Sequence, residues 1–153
     1  MIAAPATDAL LLDGAHTEWR LLSEQSCNVL IEGTEDATDA VLRQLQPHIR
    51  EPIASHQPPA TLDLPSGEIR ALILKNAAAL SSYQQRHLLA WMQETGSRTR
   101  IISTSPRSLF TLVESGCFDA ALYYRLNVLL LRVTPPVSAR IAGEHHASAR
   151  HSG

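Results

Sequence analysis

The 153-residue sequence predicts a three-layer α/β domain, in which helices cover both faces of a central parallel sheet of five strands. Two observations indicate this class. Short, continuously apolar runs alternate with longer segments whose apolar residues recur at helical spacing, and such runs are typical of strands that are buried on both faces. Hydrophobic residues make up 44% of the chain and charged residues 18%, which favours a packed core over disorder.

The first half of the chain contains three of the predicted strands. Residues 28–32, with the sequence NVLIE, form the first one. A helix is expected from about Asp36 until Pro47, because proline cannot continue a helix. Residues 52–65 are rich in proline and are expected to be mostly loop, with one short strand at PIAS. The run IRALIL, residues 69–74, is the third strand and is predicted to lie centrally in the sheet.

The third strand is followed by a helix and a fourth strand. Ser81 and Gln84 have the spacing of a capping box, which predicts the first turn of that helix. The helix is expected to end near Gly96, since glycine is favoured just after a helix C-terminus. Residues 98–104, with the sequence RTRIIST, are predicted to form the fourth strand.

The last elements of the predicted domain are two short helices and a strand. Ser105 as an N-cap, with Pro106 in the first turn, predicts a helix that Gly116 caps at its C-terminus. A short helical turn is expected over FDAALYYRLN, and VLLLRV, residues 128–133, is predicted to be the fifth strand.

The sequence divides into an N-terminal extension (residues 1–27), a core (residues 28–136) and a flexible tail (residues 137–153). The net charge is −2, and no basic patch stands out, so direct DNA binding by this chain is not expected. No apolar run approaches the roughly 20 residues that cross a membrane. The first residues lack the basic region of a signal peptide, and we expect a cytoplasmic protein.

The run GCFDAALYYRLNVLLLRVTPP carries a long and specific match to one family pattern, G-x-F-R-x-D-L-Y-Y-R-L-N-V followed by a strand and P-P. The matching residues are Gly116, Phe118, Leu122, Tyr123, Tyr124, Arg125, Leu126, Asn127, Val128, Pro135 and Pro136. The chain thus resembles the AAA+ ATPase domain of sigma-54-dependent transcription activators, the bacterial enhancer-binding proteins. LSSYQQRHLLAWMQE is similar to the helix after that family's Walker B strand, and RIISTSPRSL is similar to its sensor I strand. The resemblance covers about residues 28–140 and implies an AAA+, P-loop-like fold that binds ATP and Mg²⁺.

The resemblance places a phosphate-binding loop at GTEDATDA. Such a loop has the form G-x-x-x-x-G-K-[ST], because backbone N–H groups cradle the phosphates, the lysine neutralises them and the hydroxyl holds Mg²⁺. Gly33 matches the first glycine, and Thr34 follows it. Thr38, Asp39 and Ala40 stand in place of the second glycine, the lysine and the hydroxyl. The loop is therefore interpreted as vestigial, and its three carboxylates would repel a triphosphate.

The other catalytic positions implied by the resemblance are also changed. Lys75 and Asn76 follow the third strand where the family has Asp-Glu, and a charged lysine cannot bind a metal. An amide cannot act as a general base at neutral pH. Pro106 replaces the sensor asparagine. Asp119 replaces the first of two arginines that reach a neighbouring subunit's nucleotide, and Arg125 retains the second. We expect no ATP hydrolysis, no catalytic residue and no cofactor, although the family uses ATP and Mg²⁺.

Further features of the family are missing from the sequence. The G-A-F-T-G-A loop that contacts sigma-54 does not occur, and neither the helical lid nor the helix-turn-helix follows the core. Glu35, Asp36 and Asp39 could hold a metal, but acids are also favoured at a helix start by the helix dipole, and no metal site is predicted. The family assembles rings, and the oligomeric state of this chain stays open.

Two functional hypotheses follow. In the first, the chain is a non-catalytic regulatory module that contacts a protein partner, for example a sigma-54 activator. Its interface would include Tyr123, Tyr124, Arg125 and Asn127, unless these residues only pack the last helix onto the sheet. In the second, the chain is an ATP-binding domain with weak or residual activity in a sigma-54-dependent system. A truncated gene product without a retained role is a third option.

Overall fold

The computed structural model describes residues 20, 22, 23, 26–58 and 60–134. The strands are β1 (Val29–Glu32), β2 (Ile53–His56), β3 (Ala71–Leu74), β4 (Arg100–Ser105) and β5 (Leu129–Arg132). The helices are α1 (Glu35–Leu45), α2 (Ser82–Thr95), α3 (Leu109–Glu114) and α4 (Ala120–Leu126). Single 3₁₀ turns lie at Gln46–His48, Ala77–Ala79 and Gly96–Arg98. The predicted tail, most of the predicted N-terminal extension and the matched prolines 135 and 136 lie outside the described residues.

All five strands pair in parallel in one sheet, in the order β2-β3-β4-β1-β5. The predicted five-stranded parallel sheet is therefore confirmed. Because the strands are parallel, their carboxyl ends meet at one edge of the sheet. The loops that follow β1, β3 and β4 consequently lie side by side at that edge.

Helices cover both faces of the sheet, and each face has its own hydrophobic cluster. On one face α1 packs against the sheet. The hydrophobic cluster there, which we call the α1-side cluster, includes Val29, Ile31, Val41, Leu45, Ile73 and Ile102. On the other face α2, α3 and α4 pack against the sheet, with a cluster that includes Leu30, Leu72, Leu74, Leu88, Leu109 and Leu122. Successive residues of β1 and β3 contribute to opposite clusters, as the alternation of side chains along a strand requires. This double burial explains why residues 29–31 and 71–74 are apolar on both faces of the sheet.

Arg100, the first residue of β4, bonds to two backbone carbonyl groups that precede β1. Its guanidinium is buried and donates hydrogen bonds to the carbonyl oxygens of Leu22, at 2.6 Å, and Cys27, at 2.8 Å. Burial lowers the pKa of Arg100, and the nearby thiol of Cys27 acts in the opposite direction. Leu22 itself is fully buried in the α1-side cluster.

The start of α2 confirms the predicted capping box. The Ser81 hydroxyl accepts a hydrogen bond from the Gln84 N–H at 3.1 Å, and the Gln84 side chain accepts one from the Ser81 N–H at 2.9 Å. Gly96 and Gly116 follow the ends of α2 and α3 with φ angles of 65° and 81°, a conformation that side-chain-bearing residues rarely adopt. Both predicted helix ends are thus explained by backbone geometry.

The predicted start of α3 at Ser105 and Pro106 is wrong. Ser105 is the last residue of β4, and the N-cap of α3 is Ser108, whose hydroxyl accepts a hydrogen bond from Thr111 N–H at 3.3 Å. A second cap comes from β1, because the buried carboxylate of Glu32 accepts the N–H of Leu109 at 3.0 Å. These two residues are 77 positions apart in the chain, so the local sequence pattern does not reveal this cap.

Gln85 connects α2 to the segment that precedes α4. Its amide nitrogen donates to the carbonyl oxygens of Leu80, at 3.0 Å, and Cys117, at 3.2 Å. Its amide oxygen accepts the N–H of Asp119 at 2.8 Å. The side chain is buried, the bond to Leu80 is buried as well, and the bonds to Cys117 and Asp119 are partly buried. Gln85 therefore fixes the position from which α4 begins.

We expect Gln85→Leu to lower the free energy of unfolding by about 1–3 kcal/mol, because the buried carbonyl of Leu80 and two partly buried backbone groups would lose their hydrogen bonds. The measurement is urea unfolding followed by circular dichroism. Gln93→Leu is the matched control, since Gln93 lies on the same helix but is exposed. Equal losses in the two variants would contradict the connecting role of Gln85.

Candidate functional site

A cavity of about 110 Å³ lies at the carboxyl edge of the sheet, where the loop after β1 approaches the loops after β3 and β4. We call it the edge cavity. Its lining residues are Glu35, Thr38, Asp39, Gln57, Pro58, Lys75, Asn76, Thr104 and Pro106. The cavity thus brings together three residues of the predicted phosphate loop and both residues of the predicted Walker B position. It is the place at which the family resemblance puts nucleotide and Mg²⁺.

Asp39 and Lys75 form an ion pair in the edge cavity. The distance from Lys75 Nζ to Asp39 Oδ1 is 3.0 Å, and the two side chains are 32% and 29% exposed. The family resemblance puts a phosphate-binding lysine at the position of Asp39 and a metal-binding acid at that of Lys75, on two separate elements. The structure places them in contact, with the charges of the two positions exchanged.

Asp39 is the fifth residue of α1 and follows a capped first turn. Thr34 is the N-cap of α1, and its hydroxyl accepts a hydrogen bond from Ala37 N–H at 3.2 Å. The N–H of Thr38 bonds to the carbonyl oxygen of Thr34 at 2.9 Å, and its hydroxyl donates to the carbonyl oxygen of Glu35 at 3.1 Å. These bonds make the segment an ordinary capped helix start, and they occupy N–H groups that a phosphate-binding loop would offer to its ligand.

The backbone of Lys75 and Asn76 is held by both neighbouring strands. The Lys75 N–H donates to the carbonyl oxygen of His56, at the end of β2, at 2.9 Å. Asn76 has a left-handed conformation with φ 53°, and its N–H donates to Thr104 Oγ1, on β4, at 3.0 Å. Asparagine tolerates this conformation better than most residues. The base of the Lys75 side chain is therefore fixed in position.

His56 is a buried histidine beside this edge. Its Nε2 has no hydrogen-bond partner among the described residues, and burial lowers the pKa of the imidazole. Burial therefore favours the neutral imidazole at this position.

The remaining residues of the predicted loop have packing roles. A Cβ on Gly33 would lie 2.7 Å from the carbonyl oxygen of Val133, so only glycine fits between β1 and the end of β5. The Gly33 N–H is bonded to the carbonyl oxygen of Ser105 at 3.0 Å. Ala40 packs against the α1-side cluster and does not line the edge cavity.

The four residues proposed as an interface fall into two pairs. Tyr123 is 5% exposed, and its hydroxyl accepts a hydrogen bond from Asn127 Nδ2 at 2.9 Å. The Tyr123 ring contacts the rings of Phe110 and Tyr124, with centroid distances of 6.0 and 5.2 Å. Tyr123 therefore packs α4 onto the core, and Asn127 bonds to it from the end of the same helix, so neither residue offers a free surface.

Tyr124 and Arg125 lie on the outer side of α4. Tyr124 is 64% exposed, and Val128, just after the helix, is 61% exposed. Arg125 is also exposed, and within the described ranges its guanidinium makes no hydrogen bond or ion pair. Its carbonyl oxygen accepts a hydrogen bond from Asn28 Nδ2 at 2.8 Å, which anchors the helix end to the start of β1. We call Tyr124, Arg125 and Val128 the α4 surface.

Asp119, at the position of the first family arginine, is the N-cap of α4. Its carboxylate accepts a hydrogen bond from Leu122 N–H at 2.9 Å. An aspartate serves this purpose well, whereas an arginine has no acceptor atom. The change at this position therefore has a clear local benefit for the helix.

Two residues with organising roles were missed in the sequence. Gln85 occupies the glutamine position of the family helix, and its position in that pattern was the available signal. Glu32 ends an otherwise apolar strand, and its buried carboxylate bonds to the start of α3 and, at 3.4 Å, to Arg132. A charged residue at the end of a buried run was the signal in this second case.

The described residues offer no group of three or more histidine, cysteine, aspartate or glutamate side chains placed to hold a metal ion. None of the helices in the same part of the chain combines the length and apolar character that a membrane crossing requires.

Comparison with known proteins gives one family and a set of related folds. The model of the sigma-54 interaction domain matches residues 21–136. Solved structures of NtrX from Brucella abortus, in complexes with ATP and with ADP, are similar with TM-scores of 0.61 and 0.57, both at 16% sequence identity. These matches cover 86% and 87% of this chain, but only 35% and 39% of the NtrX chains. The chain therefore spans well under half the length of these relatives.

A further similar structure is the P-loop NTPase domain of a sigma-54 transport activator from E. coli. It has a TM-score of 0.52 and 20% identity, and the match covers 79% of this chain and 98% of that domain. At these identities the likeness to solved structures establishes the AAA+ P-loop fold. No curated protein matches the chain by sequence.

We expect Gly33→Ala to lower the free energy of unfolding by about 1–3 kcal/mol, since its new methyl group would overlap the backbone of Val133. Gly67→Ala is the control, because no atom lies within 4 Å of a Cβ at that position. The measurement is urea unfolding of both variants. A Gly33→Ala protein as stable as the parent would show that close packing does not explain this glycine.

Proposed function

Because the chain belongs to the sigma-54 interaction domain family, we propose that it is a non-catalytic AAA+ module that regulates transcription through contact with a protein partner. The proposal rests on the Asp39–Lys75 ion pair in the edge cavity. This pair occupies the place at which a P-loop ATPase uses a free lysine for phosphate and a free acid for Mg²⁺. A chain of this kind would act in the bacterial cytoplasm, where transcription takes place.

The charges of the edge cavity oppose triphosphate binding. Glu35 and Asp39 contribute carboxylates, and Lys75 contributes the one ammonium group among the lining residues. This ammonium is already paired with Asp39, so a triphosphate would have to displace a carboxylate before it gained a cation. Without a free cation the developing charge of phosphoryl transfer has no stabilising partner.

The size of the edge cavity supports the same conclusion. Its volume is about 110 Å³, whereas pockets for drug-sized ligands have volumes of roughly 300–1,000 Å³. Pro106 lines the cavity at the sensor position and has neither a side-chain donor nor a backbone N–H to offer a phosphate oxygen. Binding of a nucleotide would therefore require the loops to move apart.

The α4 surface is our candidate for the partner contact. Tyrosine and arginine are the residue types that most often dominate protein–protein interfaces, and both are exposed here. The helix that bears them is held at both ends, because Gln85 accepts the N–H of Asp119 and Asn28 donates to the carbonyl oxygen of Arg125. A rigid helix loses little conformational entropy on binding, which favours such a contact. The partner proposed is a sigma-54-dependent activator, the class of protein with which this chain shares its domain.

An ATP-binding domain with residual activity remains the competing function. The observation in its favour is that the edge cavity is polar and lies where the family binds nucleotide. Nucleotide binding separates the two proposals, since only the second requires it.

We expect isothermal titration calorimetry with ATP and Mg²⁺ to give no binding heat up to millimolar nucleotide, and a coupled-enzyme assay to give no hydrolysis above buffer. The physical reason is the paired lysine and the surrounding carboxylates. The positive control is an ATP-hydrolysing domain of the same family, measured in the same buffer. A micromolar dissociation constant would overturn the non-catalytic proposal and favour the residual nucleotide-binding function.

We expect Tyr124→Ala combined with Arg125→Ala to weaken binding to a full-length sigma-54-dependent activator from the same organism by at least about tenfold. The measurement is biolayer interferometry with purified proteins. Tyr83→Ala combined with Arg86→Ala is the matched control, because it removes the same exposed residue types from α2. Binding by the parent with equal weakening in both variants would place the contact elsewhere than on the α4 surface.

A further inference from the structure

We infer that the Asp39–Lys75 ion pair is an internal substitute for nucleotide, which joins the start of α1 to the end of β3 without any ligand. In nucleotide-binding P-loop domains the phosphates and Mg²⁺ connect these two elements. Here a single bond between side chains of the chain itself connects them, at 3.0 Å. The inference goes beyond the proposed function, because it concerns the stability of the sheet edge. It applies whether or not a partner binds.

The geometry of the pair fits a connecting role. β3 and β1 are not neighbours in the sheet, since β4 lies between them. The Asp39–Lys75 contact therefore passes across the end of β4 and connects α1, which follows β1, directly to β3. Among the ion pairs of the described residues, Arg98–Glu68 and Arg132–Glu32 lie at other places on the domain.

Both partners project from backbone that is already fixed. Asp39 lies in the first turns of a capped helix, and Lys75 is bonded through its N–H to the end of β2. An ion pair stabilises a protein weakly when two mobile side chains must be ordered to form it. The fixed backbone sets where the two side chains begin, and aspartate has a short side chain, so the loss of rotamer freedom falls mainly on Lys75 and is smaller than for two long side chains.

Partial burial strengthens the pair further. Its side chains are 32% and 29% exposed, whereas those of Arg98 and Glu68 are 72% and 75% exposed at a distance of 3.9 Å. Attraction between charges grows as water is excluded, and screening by salt is weaker at such sites. Arg98–Glu68 therefore provides an internal reference for an ion pair that should contribute almost nothing.

The test is a double-mutant cycle on equilibrium unfolding, in the absence of nucleotide and Mg²⁺. The variants are Asp39→Asn, Lys75→Met and the double variant, and the reference cycle uses Glu68→Gln and Arg98→Met. We expect the first cycle to give a coupling of roughly tenfold in the unfolding equilibrium constant, within the range for residues in contact. The reference cycle should give less than about twofold, as for exposed pairs.

Salt and charge reversal give two further readouts. At about 1 M salt, where the screening length is about 3 Å, the Asp39–Lys75 coupling should persist in part. Asp39→Lys and Lys75→Asp should each destabilise more than the neutral variants. Asp39→Lys places two ammonium groups together, and Lys75→Asp places a new carboxylate beside Asp39 in the cavity that Glu35 also lines. Combining both reversals should restore most of the lost stability, since the pair would form again in the opposite sense.

The inference is overturned if the Asp39–Lys75 coupling equals that of the reference pair, or if the doubly reversed variant is no more stable than the singly reversed ones. Backbone hydrogen exchange of residues 34–41 provides a local readout for variants that stay folded, and it should accelerate in Lys75→Met. Unchanged exchange there would also contradict the connecting role. Calorimetry with ATP separates the two outcomes: absent coupling overturns this inference, whereas the proposed function would still be supported by the carboxylates and the small volume of the edge cavity if no ATP binds.

Discussion

The arrangement of the site depends on one constraint, the parallel pairing of β4 between β1 and β3. Parallel strands send all their carboxyl ends to the same edge, and the residues that follow them must share a small space there. Asp39 reaches this space from the loop and helix after β1, and Lys75 reaches it from the end of β3. The β4 side chain of Thr104 holds the backbone of Asn76 between them. Without this strand order the two charges would have no reason to meet.

The same edge shows how a ligand site can be retained as structure. Gly33 is required by the close approach of Val133, and Thr34 caps α1, so neither position needs a phosphate to explain its residue. Asp119 caps α4 where the family places an arginine. Asp39 and Lys75 pair with each other, so the residues at these two positions likewise have a local structural use. The family membership and the fold are established, and the loss of catalysis is our interpretation of these contacts.

The α4 segment combines two roles that its sequence does not separate. Tyr123 and Asn127 bond to each other and pack inward, whereas Tyr124 and Arg125 face outward. The adjacent tyrosines look equivalent in the sequence, but a helix turns by about 100° per residue and gives neighbours different surroundings. A motif match therefore identified the segment, and only the packing of α4 divided it into a structural half and an exposed half.

The sequence alone determined the order and type of the elements, the five-stranded parallel sheet and the family resemblance, because apolar periodicity and local capping depend on neighbouring residues. For this reason the sequence predicted the capping box of Ser81 and Gln84 and the helix ends at Gly96 and Gly116. The start of α3 was not, because Glu32, far away in the chain, caps Leu109. The Asp39–Lys75 pair was equally hidden, since its charges come from separate elements that only the strand order brings together. Local interactions set the elements, and tertiary contacts decided which charges face each other across the edge of the sheet.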